Sequence, residues 1–400
     1  MPTRRFGSLR IVAATLVAAT LAAACSSTDE SARAVAPSSA SAPTSAPGGP
    51  VATVDSCANG VTDPADMRLD RAIARCDVGA PAPLPLPRTE KVVVSTAFRL
   101  EFVAPLLVAH ALGEFEKENL DVEIVSLGFS DAVAQLVSDR VDVAVGGMEL
   151  ALFSAGHNRL PVRAALGATV APHAGNYARA QAGLWCRRDA FRDRDNPNLK
   201  EIERLRLASA SGLQSASTYS IVSEIRRRGV SDFDISKTVV SRIPSVDIPV
   251  ALAKRVIDCG LLLDPLWLQV KDNPEYFLAA TQAPVESFAI YAFGHRLLEE
   301  RPDIGEAFAR AYIRTVNTYF HGDYHQDRDV MAAIVKATSQ PIENFAGLDS
   351  LKFDWELREG TTTRVQQLFI ELGIITEFRD PVPESRLVDR SFYRRAVGAA

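Results

Sequence analysis

Two stretches of the chain repeat the same order of apolar and polar positions without a gap. One, DAVAQLVSDRVDVAVGG, begins at Asp131, and the other, DIPVALAKRVIDCGLLL, begins at Asp247. In each, an acidic residue suited to cap a helix precedes apolar residues at helical spacing, and a polar corner leads into a continuous apolar run. Such a run is typical of a strand that is buried on both faces of a parallel sheet. Each stretch therefore predicts a short helix followed by a buried strand.

The segments that precede these two stretches repeat as well. The patterns KVVVSTA, VAPLLVAHALGEFEKE and DVEIVS come before Asp131, and RLRLASA, SASTYSIVSEIRRR and KTVVS come before Asp247. Each half therefore predicts β-α-β-α-β with right-handed crossovers, so the expected fold class is α/β with two lobes, each on a parallel sheet. Because ligands bind at the carboxyl ends of parallel strands, two facing lobes would share one cleft.

A Ser-rich segment, LASASGLQSASTYSIV at 207–222, leaves the first predicted strand of the second half and enters a helix. Backbone N–H groups and the positive end of the helix dipole point out of such a turn, and glycine lets the backbone approach a ligand closely. We expect a polar wall for an anionic or polar group. The alternative is helix capping alone, which would use one hydroxyl, that of Ser215. The candidate ligand-binding residues here are Ser211, Gly212, Ser215, Ser217 and Thr218.

The first 24 residues have the pattern of a signal peptide. Two arginines precede an uncharged run at 11–24, which is shorter than the ~20 apolar residues that a membrane span needs. The small residues before Cys25 resemble a bacterial lipobox, in which that thiol is lipidated, although Ala22 stands where Leu is commoner. The same alanines suit ordinary secretion, which remains the alternative. We expect an exported protein on the outer face of the cell membrane, anchored through its lipid.

Composition separates a tether from the folded part of the chain. Residues 25–56 consist mainly of Ser, Ala, Pro, Thr, Gly and Val, which cannot bury enough apolar surface to offset the entropy of ordering. We therefore predict a disordered tether, followed by an N-terminal extension at 57–88. The whole chain has 47% hydrophobic residues and a formal net charge of −5. This charge argues against nucleic acid as a partner.

Five cysteines are present, and four remain if Cys25 is lipidated. An even number in an exported chain allows two disulfides. Cys57 and Cys76 flank one short helical pattern, which favours their pairing as a staple of the extension. Cys186 and Cys259 would form the second disulfide or remain as buried thiols. No His or second Cys lies at ligand spacing near any of them, so no metal site is expected.

The order of elements in the first half resembles a known family. The stretch FVAPLLVAHALGEFEKENLDVEIVSLGFSDAVAQLVSDRVDVAVGGMELAL is similar to the N-terminal signature of solute-binding proteins of the nitrate/sulfonate/taurine and thiamine-precursor group. Asn119 stands where that group usually has Gly, a change that left-handed backbone geometry at Asn tolerates. The resemblance continues through LWCRRDAF, VIDCGLLLDPLW and FAIYAFGHRLLEERPDIGEAFARAY, and spans about residues 90–320. The signature positions are Gly113, Phe115, Leu120, Asp121, Val122, Glu123 and Asp142.

The resemblance implies a type II periplasmic binding protein fold, with two lobes joined by two crossover strands around one ligand cleft. Lobe 1 would comprise 89–182 and 288–400, and lobe 2 would comprise 183–287. In this topology Cys186 lies next to Cys259, which supports the second disulfide. The family also implies a monomer without a cofactor, which captures a small-molecule solute and delivers it to an ABC permease and ATPase complex.

Loop positions then supply the remaining candidate ligand contacts. Arg99 could hold a carboxylate or sulfonate in two bonds, or else pair with Glu101 or Glu149. Glu149 and Asp264 would favour an amine-bearing ligand over a bare anion if both face the cleft; otherwise they are lobe-closing pairs or solvated charges. Phe98 and Trp267 could stack on a ring or pack in the core. The full set from these loops is Phe98, Arg99, Gly147, Met148, Glu149, Asp264 and Trp267.

We expect a binding protein for import of a sulfonate, a taurine-like compound or a pyrimidine or vitamin precursor, without catalysis. An enzyme on the same fold, of the pyrimidine or menaquinone pathway type, is the alternative. Those enzymes are cytosolic, whereas this chain carries an export signal and lacks both a Cys cluster and a clear nucleophile–base pair. A sensor or adhesion lipoprotein is a third reading.

Overall fold

The computed structural model describes residues 54–68, 70–168, 181–282, 286 and 288–399. The predicted signal peptide, the lipidation site at Cys25 and the tether up to residue 53 lie outside the described residues. Within the described part, no helix is both long and apolar enough to cross a membrane.

The described chain alternates strands and helices. The strands are β1 (Glu90–Ser95), β2 (Leu120–Val125), β3 (Val143–Gly147), β4 (Arg163–Gly167), β5 (Gly183–Arg187), β6 (Arg206–Ser209), β7 (Val239–Arg242), β8 (Cys259–Leu262), β9 (Tyr276–Thr281) and β10 (Ala289–Phe293). The helices are α1 (Ala104–Ala111), α2 (Phe129–Val137), α3 (Leu150–His157), α4 (Ala216–Arg227), α5 (Ile248–Ala253), α6 (Pro302–Tyr319), α7 (Arg328–Thr338), α8 (Thr361–Glu371) and α9 (Ser391–Ala396).

The strands form two five-stranded sheets, in the orders β2-β1-β3-β10-β4 and β7-β6-β8-β5-β9. In the first sheet β1 is parallel to β2 and β3, and in the second β6 is parallel to β7 and β8. Strands β5 and β10 each run antiparallel to both neighbours. The chain thus crosses between sheets twice, from β4 to β5 and from β9 to β10. The predicted two-lobe α/β fold is confirmed. Its sheets are mixed rather than wholly parallel, because each crossing strand runs antiparallel to the strands beside it.

The sequence repeat is also a structural repeat. Asp139 and Arg255 occupy the same position in the two halves, and both have left-handed backbone, with φ of 53° and 58°. Three residues later, a side-chain oxygen of Asp142 accepts an N–H of β1 at 2.8 Å, and one of Asp258 accepts an N–H of β6 at 2.9 Å. The polar corner therefore makes the same turn and ties the third strand to the first in both lobes.

The predicted N-cap position is wrong for Asp131 and correct for Asp247, although neither aspartate side chain caps its helix. Helix α2 begins at Phe129 with Gly128 as its N-cap, so Asp131 lies inside the first turn. Asp247 does stand at the N-cap of α5, but its side chain makes no capping hydrogen bond. A Cβ on Gly146 would lie 2.4 Å from the Phe129 ring, so the ring packs tightly against the end of β3. This packing places the start of α2 before the acidic residue.

Both predicted disulfides are present. Cys57 pairs with Cys76, and Cys186 with Cys259, over sequence separations of 19 and 73 residues. The second pair joins β5 to β8, whose register places the two cysteines directly opposite each other. The extension is therefore stapled locally, and the crossing strand is tied covalently to the core of the second sheet.

A buried ion network fixes the N-terminal extension to α6. The guanidinium of Arg314 donates to Glu114 at 2.8 Å and to Glu118 at 2.7 Å, and also to the carbonyl oxygen of Pro81 at 3.2 Å. All three charged side chains are almost fully buried. Because an unpaired buried charge is costly, the network makes the extension part of the first lobe's packing.

Apolar side chains join the two lobes in several places. Leu100, in the loop after β1, is 2% exposed and belongs to a cluster with Trp185, Ile248 and Trp267 of the second lobe. Leu368 of α8 packs into the other apolar core of the second lobe. The loop after β1 is thereby held against the second lobe, which brings the loops of both sheets together.

Candidate functional site

A cavity of about 430 Å³ lies between the two lobes. Its wall is built from loops that follow β1, β2, β3, β6 and β7, that is, from the carboxyl ends of strands in both sheets, as expected for this class of fold. From the first lobe it is lined by Ala97, Phe98, Arg99, Leu100, Gly128, Phe129, Ser130, Asp131 and Glu149. From the second lobe it is lined by Ala210, Ser211, Arg242, Ile243, Pro244, Ser245 and Val246.

Glu149 supplies a buried carboxyl group to this cavity. Its side chain stands at the N-cap position of α3 but makes no capping bond, and the residue is only 5% exposed. Burial raises the pKa of the Glu149 carboxyl to about 7, although a hydrogen bond from Ser211 and the charge of Arg242 act in the opposite direction. A hydroxyl of the second lobe therefore acts on a carboxyl of the first across the cavity.

The Ser-rich turn reaches the cavity through one of its predicted residues. Ser211 lines the wall, and Gly212 has left-handed backbone with φ of 71°, which allows the turn. The Ser215 hydroxyl donates to the Gly212 carbonyl oxygen at 3.1 Å and makes no capping bond, so the alternative of hydroxyl capping is wrong. Gly212, Ser215, Ser217 and Thr218 are not among the residues that line this cavity.

In the loop after β1, one predicted ligand contact packs on the cavity wall and the next is exposed to solvent. Phe98 lines the wall and meets Phe102 edge to face, with ring centroids 4.9 Å apart. Arg99 is exposed, and its guanidinium makes a long contact of 3.5 Å to the carbonyl oxygen of Ala337. It forms no ion pair with Glu101 or Glu149, so its donors remain available to a ligand at the mouth of the cavity.

The residues at the end of β3 and just after it do not all line the cavity. Met148 is fully buried in the apolar core of the first lobe, where it packs with Leu152 and Phe153. A Cβ on Gly147 would lie 3.5 Å from a carboxyl oxygen of Glu149. Of these three consecutive predicted contacts, the structure brings Glu149 alone to the cavity wall.

Asp264 and Trp267 lie in a separate polar cluster between the lobes. The indole N–H of Trp267 donates to Asp264 at 2.6 Å, and neither residue lines the cavity. Glu101 of the first lobe accepts from the Tyr324 hydroxyl at 2.5 Å and lies 2.6 Å from a ring nitrogen of His325. Burial, with the nearby charge of Glu101, raises the pKa of Asp264 to about 6. Burial opposes protonation of His325, but its hydrogen bond to Glu101 raises the pKa of the imidazole.

Arg242 also lines the cavity, although it is not among the residues predicted from the sequence. It ends β7, is exposed, and makes a contact of 3.4 Å to the side-chain oxygen of Gln214. The rule applied to the other loops would have selected it, since it stands at the carboxyl end of a parallel strand. Among the described residues, no three His, Cys, Asp or Glu side chains are grouped so that they could hold a metal ion.

No protein-family model matches the chain, and no curated protein matches it. Among solved structures, the alkanesulfonate-binding protein SsuA from Xanthomonas axonopodis pv. citri, bound to MOPS, is 12% identical with a TM-score of 0.57, covering 77% of this chain and 100% of that one. The periplasmic nitrate-binding protein NrtA from Synechocystis PCC 6803 is 13% identical with a TM-score of 0.56. The match covers 78% of this chain and 89% of NrtA.

A ligand-binding component of an ABC-type import system from Staphylococcus aureus, with zinc bound, is 15% identical with a TM-score of 0.55 and covers 77% of this chain and 99% of its own. The structural match covers between 89% and 100% of the length of each of these three proteins. Identity this low carries the fold alone. The chain therefore has the periplasmic binding protein fold.

Proposed function

We propose that the chain is an extracytoplasmic solute-binding lipoprotein that captures a small organic solute and delivers it to an ABC importer. The observation that carries this proposal is the cavity between the lobes, whose wall comes from strand-end loops of both sheets. Its volume is within the range of ~300–1,000 Å³ that is usual for small-molecule sites. The structural neighbours include an alkanesulfonate-binding protein, a nitrate-binding protein and a ligand-binding component of an ABC-type import system, which supports the same role here.

The cavity accounts for capture without a chemical step. Contacts such as Glu149 with Ser211, and Leu100 with the second lobe, exist only while the lobes are together. A solute that touches both walls adds binding free energy to this closed arrangement and none to a separated one. Binding would therefore shift an open–closed equilibrium, and the closed form is what an importer could recognise.

The N-terminal sequence pattern supports both export and lipid anchorage, and the disulfides support export. Two disulfides persist best in an oxidising compartment, which fits an exported chain. Cys25 is the proposed lipidation site. Expressed in an actinobacterial or other Gram-positive host, the chain should fractionate with membranes and carry a lipid mass at its first mature residue. Replacing Cys25→Ala should release it into the medium, and membrane retention of that variant would refute anchorage through this thiol.

Solute capture is tested by thermal unfolding of the purified chain with alkanesulfonates, taurine, nitrate, aminopyrimidines and riboflavin. A true solute at 100 times its Kd should stabilise the folded state by ~2.7 kcal/mol. Ala97→Trp, at an exposed position on the cavity wall, should abolish the shift, whereas Ala72→Trp, exposed in the extension, should retain it.

Isothermal titration and product analysis complete the test. A solute that binds with 1:1 stoichiometry and is recovered unchanged agrees with the proposal. Conversion of the bound compound into product would contradict it and favour an enzyme. Equal binding by the Ala97→Trp variant would show that the cavity between the lobes is not the binding site.

A further inference from the structure

Buried carboxylates in the described part of this protein are generally paired with a cation. Glu118 contacts Arg314 at 2.7 Å, and Glu286 contacts Arg364 at 2.7 Å, in both cases with the carboxylate almost fully buried. Such pairing is expected, because a carboxylate that leaves water without a partner loses its solvation. These pairs give a standard against which a buried carboxyl in the cavity can be judged.

Glu149 departs from this standard. It is as buried as the paired carboxylates, yet no Lys, Arg or His among the described residues lies within ion-pair distance of it, and its side-chain hydrogen bond comes from the neutral hydroxyl of Ser211. Its carboxyl also does not cap α3. Among the residues that the structure describes, one neutral donor therefore serves a group that has room for several.

The position of Glu149 makes this deficit relevant to a ligand. The other charged side chains that line the cavity, Arg99, Asp131 and Arg242, are all exposed, so Glu149 is the buried charge of the wall. Arg242 acts on the carboxyl through its charge but does not reach it. The buried part of the cavity thus presents an acceptor, whereas the guanidinium groups stand at its solvent-exposed part.

We infer that the solute carries a nitrogen-bearing donor, a protonated amine or an amino-substituted ring, that binds to the carboxyl of Glu149. This inference rests on the proposed function and assigns Glu149 as its specificity-determining residue. A donor there supplies the missing partner and removes the cost of burying the carboxylate. A bare anion at the same place would face a group of its own sign. An acid function on the same solute would be met by Arg99 or Arg242.

Matched pairs of compounds, each an amino compound and its methyl counterpart, test the inference on the purified chain. The pairs are taurine with propane-1-sulfonate, 4-aminobutyrate with pentanoate, and 4-amino-2-methylpyrimidine with 2,4-dimethylpyrimidine. Isothermal titration should show that at least one amino compound binds at least tenfold more tightly than its methyl counterpart. A hydrogen bond to a charged group contributes about 1.5–3 kcal/mol to binding. Glu149→Gln should therefore weaken the binding of that amino compound by about 10- to 100-fold.

Glu343→Gln is the matched control, because Glu343 is an exposed carboxylate that does not line the cavity. It should keep the amino preference, while Glu149→Gln should bind both members of a pair with similar affinity. Far-ultraviolet circular dichroism and the unfolding transition show whether each variant is folded. A folded Glu149→Gln chain that retains full preference for the amino compound overturns the inference.

The remaining outcomes separate this inference from the proposed function. Equal binding of a methyl counterpart, or tight binding of nitrate or propane-1-sulfonate, overturns the role of Glu149 but leaves solute capture standing. If no amino compound binds but a solute without a nitrogen-bearing donor from the wider thermal screen does, the role of Glu149 is also overturned and solute capture still stands. If no compound in either set binds, both proposals fail.

Discussion

Replacing Asp264→Asn should stabilise the protein at neutral pH. Burial raises the pKa of Asp264 in the second lobe, and the negative charge of Glu101 in the first lobe adds to this rise. Asparagine removes the charge but keeps a side-chain oxygen that can accept from the indole N–H of Trp267, now 2.6 Å away. The perturbation therefore tests the electrostatic cost of this carboxylate with little change in packing or hydrogen bonding.

The magnitude follows from proton linkage. The pKa of Asp264 rises from 3.8 to about 6 on folding. A carboxyl with a raised folded pKa binds its proton more tightly when folded, so its contribution to stability is lost as pH rises from about 4 through 6. Each pKa unit corresponds to ~1.4 kcal/mol, which makes the cost of ionised Asp264 at most ~3 kcal/mol at pH 7. At pH 4.5 the same relation gives a cost of only ~1 kcal/mol for the ionisation of Asp264.

Chemical denaturation of wild type and Asp264→Asn at pH 4.5, 5.5, 7 and 8 measures this cost directly. The variant should be more stable by ~2–3 kcal/mol at pH 7 and 8, and the difference should shrink steadily toward pH 4.5. Asp131→Asn, at an exposed carboxylate, should show no such pH-dependent gain. If Asp264→Asn destabilises the chain at pH 7, or if the difference is independent of pH, the assignment of Asp264 as a desolvated carboxyl beside Glu101 is wrong.

Three further predictions concern the packing that supports the cavity, and each is checked by denaturant unfolding. Arg314→Met leaves two buried carboxylates without their cation and should cost ~3–5 kcal/mol, whereas Arg328→Met at an exposed position should leave stability nearly unchanged. Leu100→Ala should cost ~2–5 kcal/mol and weaken solute binding, and unchanged affinity would show that its contact with the second lobe does not favour closure. Replacing Cys186 and Cys259 by Ala should cost about 4 kcal/mol, from a loop of 73 residues, and a cost below 1 kcal/mol would contradict that loop-entropy value.

The sequence was sufficient to predict the order of elements and the pairing of the lobes. The gapless match of Asp131 with Asp247 extends to backbone detail, since Asp139 and Arg255 make the same left-handed corner. Asn119, predicted to tolerate left-handed backbone, adopts a φ of 58°. These features depend on the residue itself and its near neighbours along the chain, so periodicity and residue type are enough to reveal them.

Capping and side-chain direction in the loops were harder to predict. Met148 and Glu149 are adjacent after β3, yet one is buried in the core and the other faces the cavity. Asp264 follows β8 at a nearly equivalent place, but it accepts from the indole N–H of Trp267 and lies outside the cavity wall. Loop residues have no fixed period, so their direction depends on which distant side chains pack around them.

The chain by itself thus determined that two similar α/β halves form, that their cysteines can pair, and that strand-end loops are the place for a ligand. The tertiary structure alone decided which of those loop residues reach the cavity, and that Glu149 is buried there beside Ser211 without a close cation in the described chain. The reason is physical: secondary structure follows from contacts near in sequence, whereas burial and charge pairing arise between residues distant in sequence that only the tertiary fold brings together.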